Sequence, residues 1–159
     1  MTNTNNNTNL NTYEIKNTNN QVIFSGKFNS FKDCVEAAVS RKINLEGANL
    51  QDANLQGANL QDANLQGANL NYANLEGAYL KDANLQGADL RYVSLEGANL
   101  YKCNLQDAYL QGAYLQGADL RYVNLEGANL YKCNLQDAYL QGADLRYVNL
   151  QGAYLQGAK

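Results

Sequence analysis

Leucine recurs at every fifth residue between Leu45 and Leu155, with no insertion and no substitution. The residue two places before each leucine is alanine in most units, and elsewhere it is Ile43, Val93, Cys103, Val123, Cys133 or Val148. An α-helix advances about 100° per residue, so leucines five apart would point in all directions and form no buried stripe. In an extended chain, residues two apart share a side. Each unit is therefore predicted to be a short extended segment with two inward side chains.

The residue two places after each leucine is a corner, where the chain must turn so that the next leucine again points inward. All glycines of the repeat tract lie there, together with aspartates such as Asp52 and Asp62. Both residue types tolerate turn conformations. The other corners are Tyr72, Tyr92, Lys102, Tyr122, Lys132 and Tyr147. Because these are not turn residues, we expect that the corner does not require a positive φ. A chain that turns in every unit is predicted to form an all-β solenoid.

The units resemble those of the pentapeptide-repeat family, which read roughly Ala-Asn/Asp-Leu-X-X. Residues 48–52 (Ala-Asn-Leu-Gln-Asp) and 53–57 (Ala-Asn-Leu-Gln-Gly) are two examples. The family's Asn/Asp position, which points outward, is replaced at Tyr79, Tyr109, Tyr114, Tyr139 and Tyr154. The resemblance covers about three quarters of the chain. It implies a right-handed, four-sided β-helix with four units in each coil.

The spacing by itself leaves the number of sides open. The block of residues 89–112 recurs almost unchanged at residues 119–142, a shift of six units. Six units would be two turns of a three-sided coil, or one and a half turns of a four-sided one. Within the sequence, only the family resemblance favours four sides over three.

Three segments are predicted along the chain. Residues 1–12 are almost entirely asparagine and threonine, so we expect a disordered tail. Residues 13–42 contain two short apolar runs separated by asparagines, which predict a hairpin, followed by a helix with Ser30 as N-cap. The apolar face of this helix would contain Phe31, Cys34, Val35, Ala38 and Val39. We expect residues 13–42 to cap the β-helix of residues 43–159, because solenoids need covered ends. A module that recruits a partner is the alternative.

Charge and cysteine content suggest a cytoplasmic protein. The net charge is only −3, and no apolar run approaches the roughly 20 residues that span a membrane. The N-terminus lacks the basic and apolar regions of a secretory signal. Cys103 and Cys133 take inward positions on different coils, so we expect small core residues without a disulfide, as in a reducing compartment.

The sequence lacks the residues that catalysis or metal binding requires. It contains no histidine, and Ser94 is the sole serine of the repeats. The carboxylates recur on outward positions with nothing to desolvate them. No cysteine and histidine spacing typical of a metal site occurs. We therefore predict that the protein is not an enzyme and has no catalytic residues, no cofactor and no metal.

Tyrosine is concentrated in two of the four columns that a four-unit coil would create. The first tyrosine strip, in the column of Leu50, comprises Tyr72, Tyr92, Tyr109 and Tyr131 with Arg91. The second tyrosine strip, in the column of Leu60, comprises Tyr79, Tyr101, Tyr122 and Tyr139 with Arg121. Stacked tyrosines could simply brace neighbouring strands, which contributes roughly 0.2–1 kcal/mol per pair. Tyrosine with arginine is also typical of recognition surfaces.

Three functions are compatible with this surface. The first is a non-enzymatic scaffold that binds another protein along its flat sides. The second, implied by the family resemblance, is a DNA mimic that acts on DNA gyrase. Residues 43–159 contain 12 acids against 7 bases, a weak field for a mimic. The third is nucleic-acid binding through the tyrosine strips, which the overall negative charge disfavours. We therefore predict a scaffold of unknown partner.

The C-terminal coil is predicted to be uncapped. The repeats continue in phase to Gly157, so the last coil would expose its leucines edgewise beside unpaired backbone groups. These leucines are Leu140, Leu145, Leu150 and Leu155. Such a coil either frays or stacks on the same coil of a second rod. Since a two-fold contact closes on itself, we hypothesise a weak homodimer through this coil.

Overall fold

The structure is a computed structural model that describes residues 10–159. A hairpin of β1 (Asn11–Asn17) and β2 (Val22–Phe28) is followed by helix α1 (Phe31–Ser40) and a short strand β3 (Ala48–Asn49). These strands form one sheet in the order β2-β1-β3, and both pairs are antiparallel. From β3 onward the chain is a regular series of turns and single-residue β-bridges.

The repeat tract coils with a period of four five-residue units. Parallel bridges join residues four units apart along the whole tract, from Asn49 with Asn69 to Asn134 with Tyr154. The leucine N–H groups repeat the pattern: that of Leu45 donates to the C=O of Asn64 over 3.0 Å. Every coil is held by the one before and the one after it, as in other solenoids.

The inward positions form one continuous core. Leucines from Leu45 to Leu135 are at most 1% exposed, and the alanine, valine and cysteine positions two places earlier are also buried. No polar or charged residue of the described chain is fully buried. The five-residue period therefore predicted the inward and outward positions correctly. Burying each leucine contributes roughly 1.5–3 kcal/mol before chain entropy is subtracted.

The corner residues correct one expectation. Every corner from Gly47 to Gly157 has a positive φ, between 56° and 73°, including the tyrosine and lysine corners. The expectation that positive φ is not required was therefore wrong. Each leucine C=O accepts the N–H three residues on, as that of Leu45 does from Ala48 over 3.0 Å. A positive φ at the third residue of such a turn is the type II pattern, and tertiary packing imposes it whatever side chain is present.

Asparagine before the leucine stabilises the turn that follows. The Oδ1 of Asn49 accepts the N–H of Gln51, and the same bond recurs in many units, such as Asn104 with Gln106. This is the local bond by which asparagine and aspartate favour turns. Tyrosine at the same position cannot make it, yet Tyr109 and Tyr139 keep the coil geometry. The turn therefore does not depend on the bond.

The N-terminal elements differ slightly from their predicted bounds. The predicted hairpin corresponds to β1 and β2, but β1 begins at Asn11, inside the segment predicted as disordered. The rest of that prediction concerns residues 1–9, which lie outside the described residues. At the hairpin turn, Asn17 Oδ1 accepts the N–H groups of Asn19 and Gln21, and Asn20 adopts a φ of 64°. Both features suit asparagine.

Helix α1 and strand β1 lie against the first coil. Ser30 Oγ accepts the N–H of Asp33 over 3.0 Å, so the predicted N-cap begins α1. The helix buries Cys34, Val35 and Ala38 in the same core as the repeat leucines, and β1 adds Ile15.

Two charged side chains of α1 contact backbone groups of the first coil. Lys32 Nζ donates to the C=O of Gln56 over 3.1 Å, and Glu36 Oε1 accepts the N–H of Asn59 over 2.8 Å. Lys32 and Glu36 are four positions apart in the helix and share one side of it. They therefore satisfy backbone groups that have no preceding coil to pair with.

Candidate interaction surface

The first tyrosine strip is built around a ring stack at the corners. Tyr72 and Tyr92 lie one coil apart and their rings stack, with centroids 5.0 Å apart and an interplanar angle of 10°. The ring of Tyr92 covers the next corner of the column, Gly112, where an added Cβ would lie 2.7 Å from the ring. Tyr72 and Tyr92 nevertheless remain 57% and 47% exposed. The two rings are therefore packed together and still open to a partner.

The second tyrosine strip is built around Tyr101. The ring of Tyr122 meets that of Tyr101 edge to face, with centroids 5.6 Å apart. Two cations also lie over Tyr101: Lys102 Nζ at 5.4 Å and Arg121 Cζ at 5.6 Å from the ring centroid. Such cation–π contacts contribute roughly 0.5–1 kcal/mol at exposed sites. As in the first strip, the corner tyrosine covers a glycine, here Gly142 beneath Tyr122.

An arginine paired with an aspartate lies in each strip. Arg91 Nε donates to Asp89 Oδ1 over 2.8 Å, and Arg121 makes the same bond to Asp119 over 2.8 Å. A second bond from each guanidinium to the other carboxylate oxygen makes both pairs bidentate. These hydrogen bonds hold the pKa values of Asp89 and Asp119 below their usual range. Each pair therefore fixes its arginine on the surface in one orientation.

The remaining strip tyrosines make no ring contact with another tyrosine among residues 10–159. Tyr79, Tyr109 and Tyr139 occupy the outward bridge positions of their columns. Tyr131 lies beneath Lys132, whose Nζ is 5.0 Å from its ring centroid, and Tyr139 contacts Lys159 in the same way. The structure thus brings together two pairs of strip tyrosines, and it distributes the other four along the same two columns.

Sequence reasoning missed the two Asp-Arg pairs. The signal was present, because Asp89 and Arg91 are next-but-one neighbours in an extended segment and so share its outward side. The same spacing occurs at Asp144 and Arg146, in the column of Leu45. Arg146 there also contacts Glu126 of the preceding coil over 2.7 Å.

The column of Leu45 carries an asparagine ladder at its outward positions, and its one tyrosine is the corner Tyr147. Each amide Nδ2 donates to the Oδ1 one coil earlier, over distances of 2.7 to 3.3 Å. The ladder runs through Asn44, Asn64, Asn84, Asn104 and Asn124. Its amide groups bind one another, so this column offers fewer unsatisfied polar groups than the tyrosine strips.

The buried cysteines are unsuited to chemistry. The thiols of Cys103 and Cys133 donate to the C=O groups of Leu80 and Leu110. Burial raises the pKa of each thiol to about 12, so neither forms a thiolate at neutral pH. Cys34, whose pKa is also raised by burial, is likewise free. All three behave as small core residues.

A groove of about 920 Å³ lies between α1 and the first coil. Its charged lining residues are Glu36, Lys42 and Asp62. Glu36 is engaged with Asn59, and the nearby Ser40 hydroxyl donates to the C=O of Ala37. No nucleophile with an activating base lines this groove. Residues 10–159 also hold no group of three or more side chains that could bind a metal ion.

The terminal coil is less buried than the coils before it. Leu145 and Leu155 are 41% and 44% exposed, and Leu140 and Leu150 are partly buried. Within the described part of the chain, no helix is both long and apolar enough to cross a membrane.

Comparison with known proteins identifies the repeat tract. A family model described as pentapeptide repeats matches in eight overlapping copies, which together extend from residue 43 to residue 159. The comparison with curated proteins found no match.

The chain also aligns with several solved structures. A trypsin-treated form of QnrB1, a plasmid-mediated fluoroquinolone resistance protein, aligns with a TM-score of 0.59 at 20% identity, covering 69% of this chain and 59% of that one. Rfr23 from the cyanobacterium Cyanothece 51142 is 35% identical over 65% of this chain and 62% of its own, with a TM-score of 0.47. HetL from Nostoc sp. strain PCC 7120, involved in heterocyst differentiation regulation, is 27% identical over 74% of this chain and 78% of its own, with a TM-score of 0.43. The chain thus spans about six tenths of the first two structures.

Proposed function

Because the chain belongs to the pentapeptide-repeat family, we propose that it is a non-enzymatic scaffold that binds another protein through its two tyrosine strips. The observation that carries this proposal is the combination of exposed tyrosines with arginines fixed by their own aspartates. Tyrosine and arginine dominate the energetically important positions of protein interfaces.

The rigidity of the strips supports this function. Each strip side chain extends from a backbone that is hydrogen-bonded to the coils on both sides. A partner therefore loses little free energy in ordering this surface, which is the main cost that preorganised interfaces avoid. The asparagine ladder of the Leu45 column shares the same backbone, but its amides are already paired with one another.

The architecture we propose is a right-handed, four-sided rod closed at one end by residues 13–42. The four units between bridged residues support one unit for each side. The contacts of Lys32 and Glu36 with the first coil support a capping role for α1. In this rod, the two tyrosine strips lie on opposite sides.

The proposal is tested by affinity capture from a lysate of the host organism, with and without nuclease. The variant Tyr109→Ser with Tyr139→Ser removes one tyrosine from each strip at positions where Ser94 shows that serine fits the coil. Tyr114→Ser is the matched control, because Tyr114 is 49% exposed at the same unit position but lies outside both strips.

We expect a protein that is retained by the wild type and by Tyr114→Ser after nuclease treatment, and that is lost with the double variant. Capture that is unaffected by the double variant would contradict the assignment to the strips. Loss of capture on nuclease treatment would instead favour nucleic-acid binding, which the net charge disfavours.

A DNA mimic acting on DNA gyrase is the second candidate. The fold similarity to QnrB1 and the seven acids in the columns of Leu45 and Leu55 favour it. Against it, the repeat tract carries 7 bases beside its 12 acids, and the tyrosine strips are close to neutral. In a gyrase supercoiling assay we therefore expect no inhibition at micromolar protein. Inhibition at that concentration would make the mimic the leading function.

Two further features belong to the same proposal. The three buried, unpaired cysteines support a reducing, cytoplasmic location. The exposure of Leu145 and Leu155 supports a weak homodimer through the last coil of residues 10–159. Sedimentation of the wild type and of Leu155→Asp tests the homodimer. We expect Leu155→Asp to associate less strongly than the wild type, and a wild-type monomer at high micromolar concentration would exclude the homodimer.

A further inference from the structure

The two copies of the recurring block have almost the same structure. Residues 89–112 and 119–142 differ only at Ser94 and Asn124. In both copies the arginine is bidentate to its aspartate with the same Nε–Oδ1 distance of 2.8 Å. In both, the next tyrosine covers a glycine one coil later, and the arginine side chain is 48% exposed. The molecule therefore carries the same surface constellation, an aspartate–arginine pair with the tyrosine that follows it, twice.

The shift between the copies determines where the two constellations lie. A shift of six units is one and a half of the four-unit periods set by the bridges. In the four-sided rod proposed above, the second copy therefore lies on the side opposite the first. A shift of four or eight units is a whole number of coils and would have kept both copies on one side.

The charge of the four columns decides which sides of two rods can meet. The columns of Leu45 and Leu55 carry seven acids with Arg146 as their only base. Two copies would repel one another through these columns. In the columns of Leu50 and Leu60, by contrast, six bases stand beside five acids; the bases are Lys81, Arg91, Lys102, Arg121, Lys132 and Lys159. Close approach of two copies is thus least opposed through the strips.

Each constellation is also complementary to itself. The order aspartate, leucine, arginine places one acid and one base side by side along one extended segment, and so across one side of the rod. When two such pairs face one another across a two-fold axis, each arginine meets the other copy's aspartate. Exposed tyrosines surround both pairs and supply the contact area.

We propose that the two constellations bind a second copy of this chain, so that rods associate side by side through their tyrosine strips. Each rod has two such sites on opposite sides, so the association does not close at a dimer. The contact is narrow, because it uses one side of a rod on the order of 28 Å long, from strands about 4.8 Å apart. Interfaces smaller than the standard size of about 800 Å² per partner are typically weak and transient, so we expect association through so narrow a side only at about 0.1–1 mM.

Sedimentation and light scattering of the full chain between about 10 μM and 1 mM test the proposal. Arg91→Glu places two acids together in the first strip, and Arg121→Glu does the same in the second. For the wild type, the average mass should rise beyond twice the 17.5 kDa of one chain. Each variant is compared in the Leu155→Asp background, which removes the terminal-coil contact proposed above. There each single variant retains one strip site, so its mass should level off at the dimer. The double arginine variant should stay monomeric there.

The matched control is Gln86→Glu with Gln106→Glu, which changes the net charge by as much as one arginine reversal but lies in the Leu45 column. It should associate as the wild type does, and circular dichroism should show that every variant is folded. A wild type that stays monomeric at about 1 mM overturns the proposal. So does a double arginine variant that still associates in the Leu155→Asp background, or a control that loses association equally. If Leu155→Asp alone abolishes all association, the terminal coil and not the strips is the contact.

Discussion

The column of Leu45 and the column of Leu60 share a core and differ on the surface. In both, the leucines of the inner coils are fully buried and donate to the next coil with the same geometry. Outward, one column is an amide ladder that begins at Asn44, and the other carries tyrosines, Lys102 and Arg121. The coil therefore depends on its inward and corner positions, and its outward positions can vary without changing the backbone. Recognition can be encoded there at little cost in stability.

The largest expected effect tests the shared core. Leu100→Ala in the Leu60 column and Leu105→Ala in the Leu45 column should each lower the free energy of unfolding by roughly 2–5 kcal/mol, because each leaves a cavity. The outward change Gln106→Ala should stay within about 0.5 kcal/mol. Urea denaturation followed by circular dichroism measures all three. Equal effects of Leu100→Ala and Gln106→Ala would contradict the inward assignment.

The second prediction uses the buried thiols of Cys103 and Cys133, which lie in the columns of Leu45 and Leu55 and are absent from the columns of Leu50 and Leu60. The pKa of Cys103 and of Cys133 is about 12 in the folded chain, against about 8.5 when unfolded. As pH rises between these values, the unfolded chain loses protons first, so the free energy of unfolding falls. The stabilisation that the two buried, protonated thiols contribute is complete below about pH 8.5 and is lost towards pH 12.

The control is the double variant Cys103→Ala with Cys133→Ala, since alanine is the usual residue at this position. Its free energy of unfolding should depend less on pH between about 9 and 11, as measured by urea titrations at each pH. Identical slopes for the variant and the wild type would show that the thiols are not buried as described.

The smallest expected effect compares a glycine corner that is covered by a tyrosine ring with a glycine corner that is not covered. Gly117→Ala introduces a side chain at a φ of 64° with free space around it, so strain of roughly 1–2 kcal/mol is expected. Gly112→Ala has the same strain and also displaces the ring of Tyr92. Its melting temperature should therefore fall further than that of Gly117→Ala. An equal fall would mean that the Tyr72 and Tyr92 stack adds nothing to stability.

Adding Tyr92→Asn to Gly112→Ala sharpens this comparison. Asparagine tolerates the positive φ at position 92 and leaves space above position 112. The added cost of the alanine at position 112 should then disappear.

Local patterns in the sequence were sufficient for most of the fold. The leucine period separates inward from outward residues because alternation in an extended chain is set within a single unit. The N-cap of α1 was also predictable, since Ser30 and the apolar spacing after it lie in one short segment. The pairing of Asp89 with Arg91 depends on their next-but-one spacing, and it too was available from the sequence.

Only the tertiary structure decided features that depend on several coils at once. The four-unit period results from turns added over successive units, whereas the five-residue spacing is compatible with three units or four. The positive φ of Tyr92 and Lys102 is imposed by the hydrogen bonds and leucine packing of neighbouring coils, against the preference of those side chains. Lys32 and Glu36 find their partners in Gln56 and Asn59 because the helix lies on the first coil. Such contacts cannot be inferred from the residues that are adjacent in the sequence.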